Sequence, residues 1–179
     1  EGELIVTTAL IASDEVTAEE NRISGSFSFV PFGLEANIIL LPTAAGVFIV
    51  KNSETGVSIE PRETTTGYSQ AALTMNNVGA QQLGTVSCED FLAWLTLRID
   101  SAICSIMAGA CQASLNLASE YTKVRQQFDR AIATFQAVSQ RAGDAYIDTE
   151  AIRLTSRQAA WRISAGLPAA EKVAIARWW

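Results

Sequence analysis

The hydrophobic period of this chain changes once, near Cys88, and that change restricts the fold to a β unit followed by a helical one. Before it, short apolar or β-branched runs recur at residues 4–8, 23–30, 37–41, 46–51, 56–59 and 72–78. Turn formers punctuate them: Ser13-Asp14-Glu15, Pro31-Phe32-Gly33, Pro42-Thr43, Asn52-Ser53-Glu54, residues 63–67 and Asn76-Asn77. Runs at that spacing predict an antiparallel sandwich or barrel. No helical segment intervenes and no Gly-rich phosphate loop follows a strand, which argues against a parallel βαβ sheet of the Rossmann or P-loop kind.

After the change, Leu92, Leu95, Ile99, Ile103, Ile106, Ala110, Ala113, Leu117 and Tyr121 follow the three-and-four spacing of a helix. Leu97, Met107, Cys111 and Leu115 make its other faces apolar too, so it is expected to be covered by other helices or by another chain. A polar segment spans residues 123–130, and a second helix is predicted from Thr134 as N-cap. That helix carries Phe135, Val138, Ala142, Ala145, Ile152, Ala159 and Ile163 on one face. Gly166 and Pro168 read as a stop and a restart, with a third helix from Ala169 to the chain end. The expected class is α+β: an antiparallel β-barrel or sandwich over residues 1–88, then an antiparallel helical bundle over 89–179, truncated.

Charge and cysteine content narrow the function. Of 179 residues, 13 are Lys or Arg and 19 are Asp or Glu, a net charge of -6. That balance argues against nucleic acid, whose binding rests on cations neutralising phosphates, and against a polybasic membrane surface. The absence of His removes the Ser–His–Asp triad, the Cys–His pair and most catalytic zinc sites, and no carboxylates pair at metal-ligand spacing. Cys88, Cys104 and Cys111 form no C-x-x-C pair and are expected to be free thiols of a reduced, cytoplasmic protein. Glu1-Gly2-Glu3 is acidic where a signal peptide is basic, and the apolar run over residues 4–12 is too short to span a bilayer. The chain begins without Met and ends on Trp178-Trp179 inside a helical pattern, so it reads as a piece of a longer protein.

One stretch is distinctive: Glu120-Tyr121-Thr122-Lys123-Val124-Arg125-Gln126-Gln127-Phe128-Asp129-Arg130-Ala131-Ile132-Ala133-Thr134-Phe135-Gln136-Ala137-Val138. It resembles the signature of the acyl-CoA dehydrogenases, Tyr…Arg-x-x-Phe-Gly-x-x-Ile…Phe-Gln-x-Val. The likeness continues through Ala142, Asp144, Tyr146-Ile147-Asp148, Ala151, Arg153-Leu154 and Ala159-Ala160-Trp161. The whole chain fits the family's middle β domain plus the start of its C-terminal helical domain. The forms Arg-x-Gln-Phe-Asp-Arg and Gln-Arg-x-x-Asp-x-Tyr-Ile-Asp resemble the actinobacterial branch of sterol side-chain degradation, whose unlike subunits pair as α2β2.

The resemblance implies an FAD-dependent α,β-dehydrogenation of an acyl-CoA thioester, with electrons passing to an electron-transfer flavoprotein or a similar acceptor. It implies that the Arg-x-x-Phe segment reaches across a subunit interface to the partner's FAD. Arg125 would then meet the pyrophosphate, Gln127 would donate a further hydrogen bond, and Phe128 would pack on the adenosine part, with Ile132 and Gln136 beside them. Taken alone, Arg125 is a solvated helix-end charge and Phe128 and Phe135 are core contacts. In the β unit, Phe29 falls where the family has Trp in Trp-x-Thr, with Val30 next in the flavin wall and Pro31 at the Thr position, so that hydroxyl is lost. The family's Thr-Glu-Pro-Gly-x-Gly-Ser-Asp loop is reduced to Thr8-Ala9-Leu10-Ile11-Ala12-Ser13-Asp14, without glycines.

The family's catalytic Glu lies near the C-terminus in most members, and on the first helix of the C-terminal domain, before an Arg, in a minority. Here the second position reads Leu97-Arg98-Ile99-Asp100, with Ile99 in place of the Glu and Asp100 in place of the Arg. Asp100 is a displaced base or a polar contact. Three readings follow: a catalytic dehydrogenase subunit, a catalytically silent subunit completing the flavin site of a paralogue, or a flavin-free binding module.

Overall fold

The computed structural model describes residues 4–10, 12 and 15–179. Two compact units make up the chain, residues up to 93 and residues 94–179.

The first unit is a β-sandwich. One sheet has the order β1 (Val6–Thr8), β4 (Ile38–Thr43), β5 (Gly46–Lys51), β8 (Gln81–Gln82); the other runs β2 (Thr17–Glu19), β3 (Arg22–Pro31), β7 (Gln70–Gly79), β6 (Val57–Arg62). Alternation explains which face is buried: Ile39 and Leu41 of β4 meet Leu73 and Met75 of β7 in one core, with Ile23, Phe27 and Val30 of β3 and Phe48 and Val50 of β5. The two sheets stay open, so the barrel alternative is excluded in favour of the sandwich. One described pair is parallel, β1 with β4 in the register Val6↔Ile38 to Thr8↔Leu40. The chain crosses to the other sheet for β2 and β3 before returning, and that crossover lets β4 run in the same direction as β1. Strands β2 and β8 escape the hydrophobic reading because Thr17-Ala18-Glu19 and Gln81-Gln82 pair through backbone and carry no apolar alternation. Asn76-Asn77 is not a break: β7 runs through it, absorbing the irregularity at Asn77 with φ 53°.

Strand β3 carries the feature that matters for the site. Its pairing passes from Phe27↔Leu73 to Val30↔Ala71, so one extra residue is inserted on β3. The bulge puts Phe29 at φ 55° and turns its ring outward, while Phe27 and Val30 stay buried on either side.

The second unit is built on three helices, α1 (Cys88–Val124), α2 (Gln136–Ser164) and α3 (Ala170–Trp178). At the start of α1, Ser87 Oγ accepts the Asp90 amide at 3.0 Å and donates to its carboxylate at 2.7 Å, with Glu89 and Asp90 suited to the dipole. The expected Thr134 cap is not used. Its hydroxyl donates to the Ala131 carbonyl at 2.7 Å in a 3₁₀ turn (Ile132–Thr134), and Phe135 is the N-cap of α2 without a side-chain bond. Gly166, at φ 65°, ends α2 in the left-handed conformation, with its amide on the Ile163 carbonyl and the Leu167 amide on that of Arg162. The third helix begins one residue after its predicted start, Ala169 serving as N-cap.

Helices α1 and α2 run antiparallel, joined by a 3.1 Å hydrogen bond between the Ser105 and Ser156 hydroxyls. Cys104, Ala159, Ala169, Val173 and Ala176 form a small core with Leu97 and Ile163. The seam of α1 is thus buried Ser101 and Cys104 with half-buried Leu97, not the predicted stripe, of which Ile103, Ile106, Leu117 and Tyr121 are exposed. Toward the α1–α2 connection the helices enclose an open groove of about 770 Å³, lined by small residues such as Ala110, Ser114, Ala118 and Ala142.

Candidate functional site

The predicted site residues fall into two groups, one in each unit. In the helical unit, the polar segment after α1 is a hairpin of β9 (Gln126–Gln127) and β10 (Arg130–Ala131), paired Gln127↔Arg130 and Gln126↔Ala131. Only Phe128 and Asp129 connect the strands, at φ 53° and 61°. Two left-handed residues in a two-residue loop mark a hairpin turn whose twist matches the strands, a position that ordinarily selects Asn-Gly. Phe128 is held at the tip with 87% of its surface exposed. Its ring lies edge-on to Phe135, 6.2 Å between centroids at 81°, and the Arg130 guanidinium sits 4.1 Å from the Phe135 centroid.

Arg125 opens the hairpin. Its amide donates to the Tyr121 carbonyl and its carbonyl accepts the Ile132 amide, both at 2.9 Å. Its guanidinium is exposed and has no hydrogen bond or ion pair among the described residues. Gln127 and Gln136 are likewise exposed and Ile132 is half-buried. An unpaired planar cation, two amides and a solvent-facing aromatic ring occupy one connection and the start of α2. That set suits a ligand carrying both phosphate and a flat aromatic group, brought to the hairpin from outside the unit.

In the β unit, Phe29 is 53% exposed at the bulge and Val30 is fully buried, its side chain part of the sandwich core. Pro31 pairs with Gln70 and its carbonyl accepts the Thr7 hydroxyl at 2.5 Å. The single proton of that hydroxyl is spent there, so neither residue offers a ligand a donor. Thr8 Oγ1 and Gln70 Oε1 are buried without partners. Phe32, at φ 52°, sets its ring 6.4 Å from that of Tyr68. This strand end supplies aromatic wall but no donor at the Thr position of Trp-x-Thr, and the unpartnered Thr8 hydroxyl is buried. Ile11, Ser13 and Asp14 of the reduced loop lie outside the described residues.

Asp100 is held by Arg177, whose Nη1 donates to its carboxylate at 2.9 Å and so ties α3 to α1. One turn on, burial first and the Asp100 carboxylate second push the Cys104 thiol pKa up, which keeps it a neutral core group. Ile99 is half-buried, and Arg98 folds back over the Trp94 ring at 4.0 Å. Elsewhere Glu35 accepts the Ser69 hydroxyl at 3.0 Å, and Glu150 is paired with Arg153, whose hydrogen bond lowers its pKa. Asp144 and Asp148 are exposed on α2. Sequence reasoning missed the Asp100–Arg177 pair, because its members stand 77 residues apart and only the α3 turn brings them together.

Residues 100–179, which include the hairpin, match the family model described as acyl-CoA dehydrogenase, C-terminal domain. The chain is 34% identical over 152 residues to acyl-CoA dehydrogenase FadE27 of Mycobacterium tuberculosis, covering 83% of this chain and 41% of that protein. The chain belongs to the acyl-CoA dehydrogenase family. Among solved structures it is similar to the ChsE4–ChsE5 complex of M. tuberculosis, at 34% identity and a TM-score of 0.86 over 99% of this chain and 52% of the other. It is also similar to the Tcur3481–Tcur3483 steroid acyl-CoA dehydrogenase, a G363A variant, at 28% identity and a TM-score of 0.82 over 97% of this chain and 51% of the other. The chain therefore spans about half the length of the relatives it matches.

Proposed function

We propose that this chain is part of a subunit of an FAD-dependent acyl-CoA dehydrogenase that removes hydrogens from the α and β carbons of an acyl-CoA thioester, a sterol side-chain ester being the substrate class. The carrying observation is the hairpin, which offers an unpaired Arg125 and an exposed Phe128 at one tip. The FAD, when bound, supplies the hydride acceptor. This chain's part is to bind it: Arg125 forks onto phosphate oxygens, Gln127 and Gln136 add amide contacts, and Phe128 covers the adenosine end. The flavin belongs to a homologous subunit in a dimer or an α2β2 assembly. Two of the relatives carry paired subunit names, in keeping with such an assembly. By length and composition α1 could cross a bilayer, and its uncharged run over residues 101–119 is here assigned to contact with other helices of that assembly. The cytoplasm and an electron-transfer flavoprotein or similar acceptor complete the proposal.

The spent Thr7 hydroxyl and Pro31 favour a second reading within the first. The β unit here forms a weak wall for a flavin of its own, and the chain acts as the silent member that completes a paralogue's site. One experiment separates the readings. The full-length protein is purified alone and with a co-expressed paralogue, flavin is read by absorbance, and dehydrogenation is assayed with a dye acceptor and a panel of acyl-CoA thioesters. Flavin and turnover only in the co-expressed sample support the silent-member reading. Both in the lone protein support a self-sufficient subunit. Flavin in neither sample returns the chain to a binding module.

A further inference from the structure

We propose that Arg130 and Phe135 are positioning residues that hold Phe128 at the hairpin tip ready for the partner's FAD, acting through the ring stack. The inference rests on the reading that the hairpin meets FAD across a subunit interface.

The turn needs outside support. Phe128 and Asp129 are both left-handed, at φ 53° and 61°. L side chains avoid that region, bulky ones most of all. Where the family signature has Phe-Gly, this chain has Phe-Asp, so the residue that would adopt the turn without strain is missing. Two ladder positions, Gln126↔Ala131 and Gln127↔Arg130, are too short a ladder to set a tip by themselves. Yet the tip side chain is the one that must meet the ligand at a defined angle.

The stack supplies the support. Phe135 is anchored: its amide donates to the Ile132 carbonyl at 3.1 Å, and its carbonyl accepts the amides of Val138 and Ser139 at 3.0 Å as α2 begins. Arg130 lies over its ring at 4.1 Å and Phe128 stands against it at 6.2 Å, edge to face. Arg130 has no carboxylate partner among the described residues, so the ring orients it. The stack ties both sides of the turn to one helix end. Strain at the tip is thus offset by a contact outside it, as at other pre-organised sites.

The test uses the full-length protein assembled with its paralogue, stripped of FAD and titrated with FAD by fluorescence. Amide hydrogen exchange over residues 126–131 is read in the FAD-free assembly. A cation–π contact at an exposed site corresponds to about a two- to fivefold change in binding. Arg130→Met should weaken FAD by that factor and quicken exchange in the hairpin, leaving α2 unchanged. Arg130→Lys, which keeps a cation over the ring, should recover most of both. In a Phe135→Leu background, Arg130→Met should cost nothing further, because the ring through which it acts is gone. If Phe135→Leu does not assemble, exchange in the FAD-free assembly decides: Arg130→Met must quicken it over residues 126–131, and weakened FAD with unchanged exchange means that Arg130 touches the ligand itself and overturns the proposal. An Arg130→Met loss that persists undiminished without the ring means that Arg130 touches the ligand itself, and overturns the proposal. So does unchanged FAD affinity in Arg130→Met while Arg125→Ala weakens binding. If Arg125→Ala also changes nothing, the reading of the hairpin as an FAD contact has failed, and the proposal with it.

Discussion

Replacing Asp100 by Asn separates structure from chemistry at the residue best placed to be a displaced base. The carboxylate is mostly covered, its side chain 17% exposed, but its partner Arg177 is 61% exposed. Such a half-solvated pair contributes on the order of 0.2–1 kcal/mol. Asn keeps the shape and one acceptor oxygen, so the Arg177 hydrogen bond survives in neutral form. The expected loss is at most about 1 kcal/mol, no more than roughly 2–4 °C in melting temperature. A general base, by contrast, is worth about 10²–10⁴ in rate. The two roles therefore differ by orders of magnitude in turnover. The measurement is dye-linked dehydrogenation by the assembled complex beside its thermal unfolding. Asp100→Asn should leave turnover within about twofold, a bound set well inside the factor a base supplies. It should also let the Cys104 thiol titrate lower, since Asp100 is its second-largest upward influence. A hundredfold fall in turnover with flavin content and melting intact would falsify the structural assignment and make Asp100 the base.

Other outcomes follow from the same geometry. Arg125→Ala should weaken FAD retention in the complex by about tenfold or more, the equivalent of roughly 1.5–3 kcal/mol for a charge-assisted contact, with little effect on folding because the side chain is free; equilibrium dialysis of flavin checks it. Leu117→Glu, at a position 74% exposed on the uncharged run of α1, should abolish assembly without unfolding the subunit, and sedimentation at micromolar concentration reads it. Glu150 has its folded pKa lowered, chiefly by the Arg153 hydrogen bond, so the stability it contributes is present above its unfolded pKa and is lost as pH falls through the lowered folded value. Glu150→Gln should flatten that acid limb of a melting-temperature profile, and an unchanged limb would remove Glu150 from the account.

Sequence legibility here tracks how local the determining physics is. Strands β3, β4, β5 and β7 announce themselves because each buries alternate apolar residues in one core. The parallel β1–β4 pair could not be read, since direction is set by a crossover between sheets and not by either strand's pattern. The hairpin was hidden because Phe-Asp is a poor turn signal, so the segment read only as polar; the resemblance located Arg125 and Phe128 but not the turn that aims them. Thr134 looks like a cap in isolation, yet the 3₁₀ turn before α2 takes its hydroxyl. The α1 seam differs from the predicted stripe because this helix carries apolar residues on more than one face, so the pattern alone does not say which face packs within the unit.

The apolar faces of α1 also bear on how the helical unit is completed. A helix of 37 residues extends roughly 55 Å at 1.5 Å per residue, and within its own unit it buries chiefly Ser101 and Cys104. The core it shares with α2 and α3 is made of alanines, a valine and a thiol, which bury little area each. Ile103, Ile106, Leu117, Tyr121 and Val124 stay in solvent on the same helix. In a chain that spans about half the length of its relatives, a core of this size is completed by further helices or by association. The hairpin has the same character, since Arg125 and Phe128 have more to gain from a ligand outside the unit than from any contact within it. Packing and chemistry thus point outward from one connection, so that the association that covers α1 would also bring the hairpin to its ligand. Loss of assembly and loss of flavin should then occur together in Leu117→Glu, whereas Arg125→Ala should lose flavin and keep assembly.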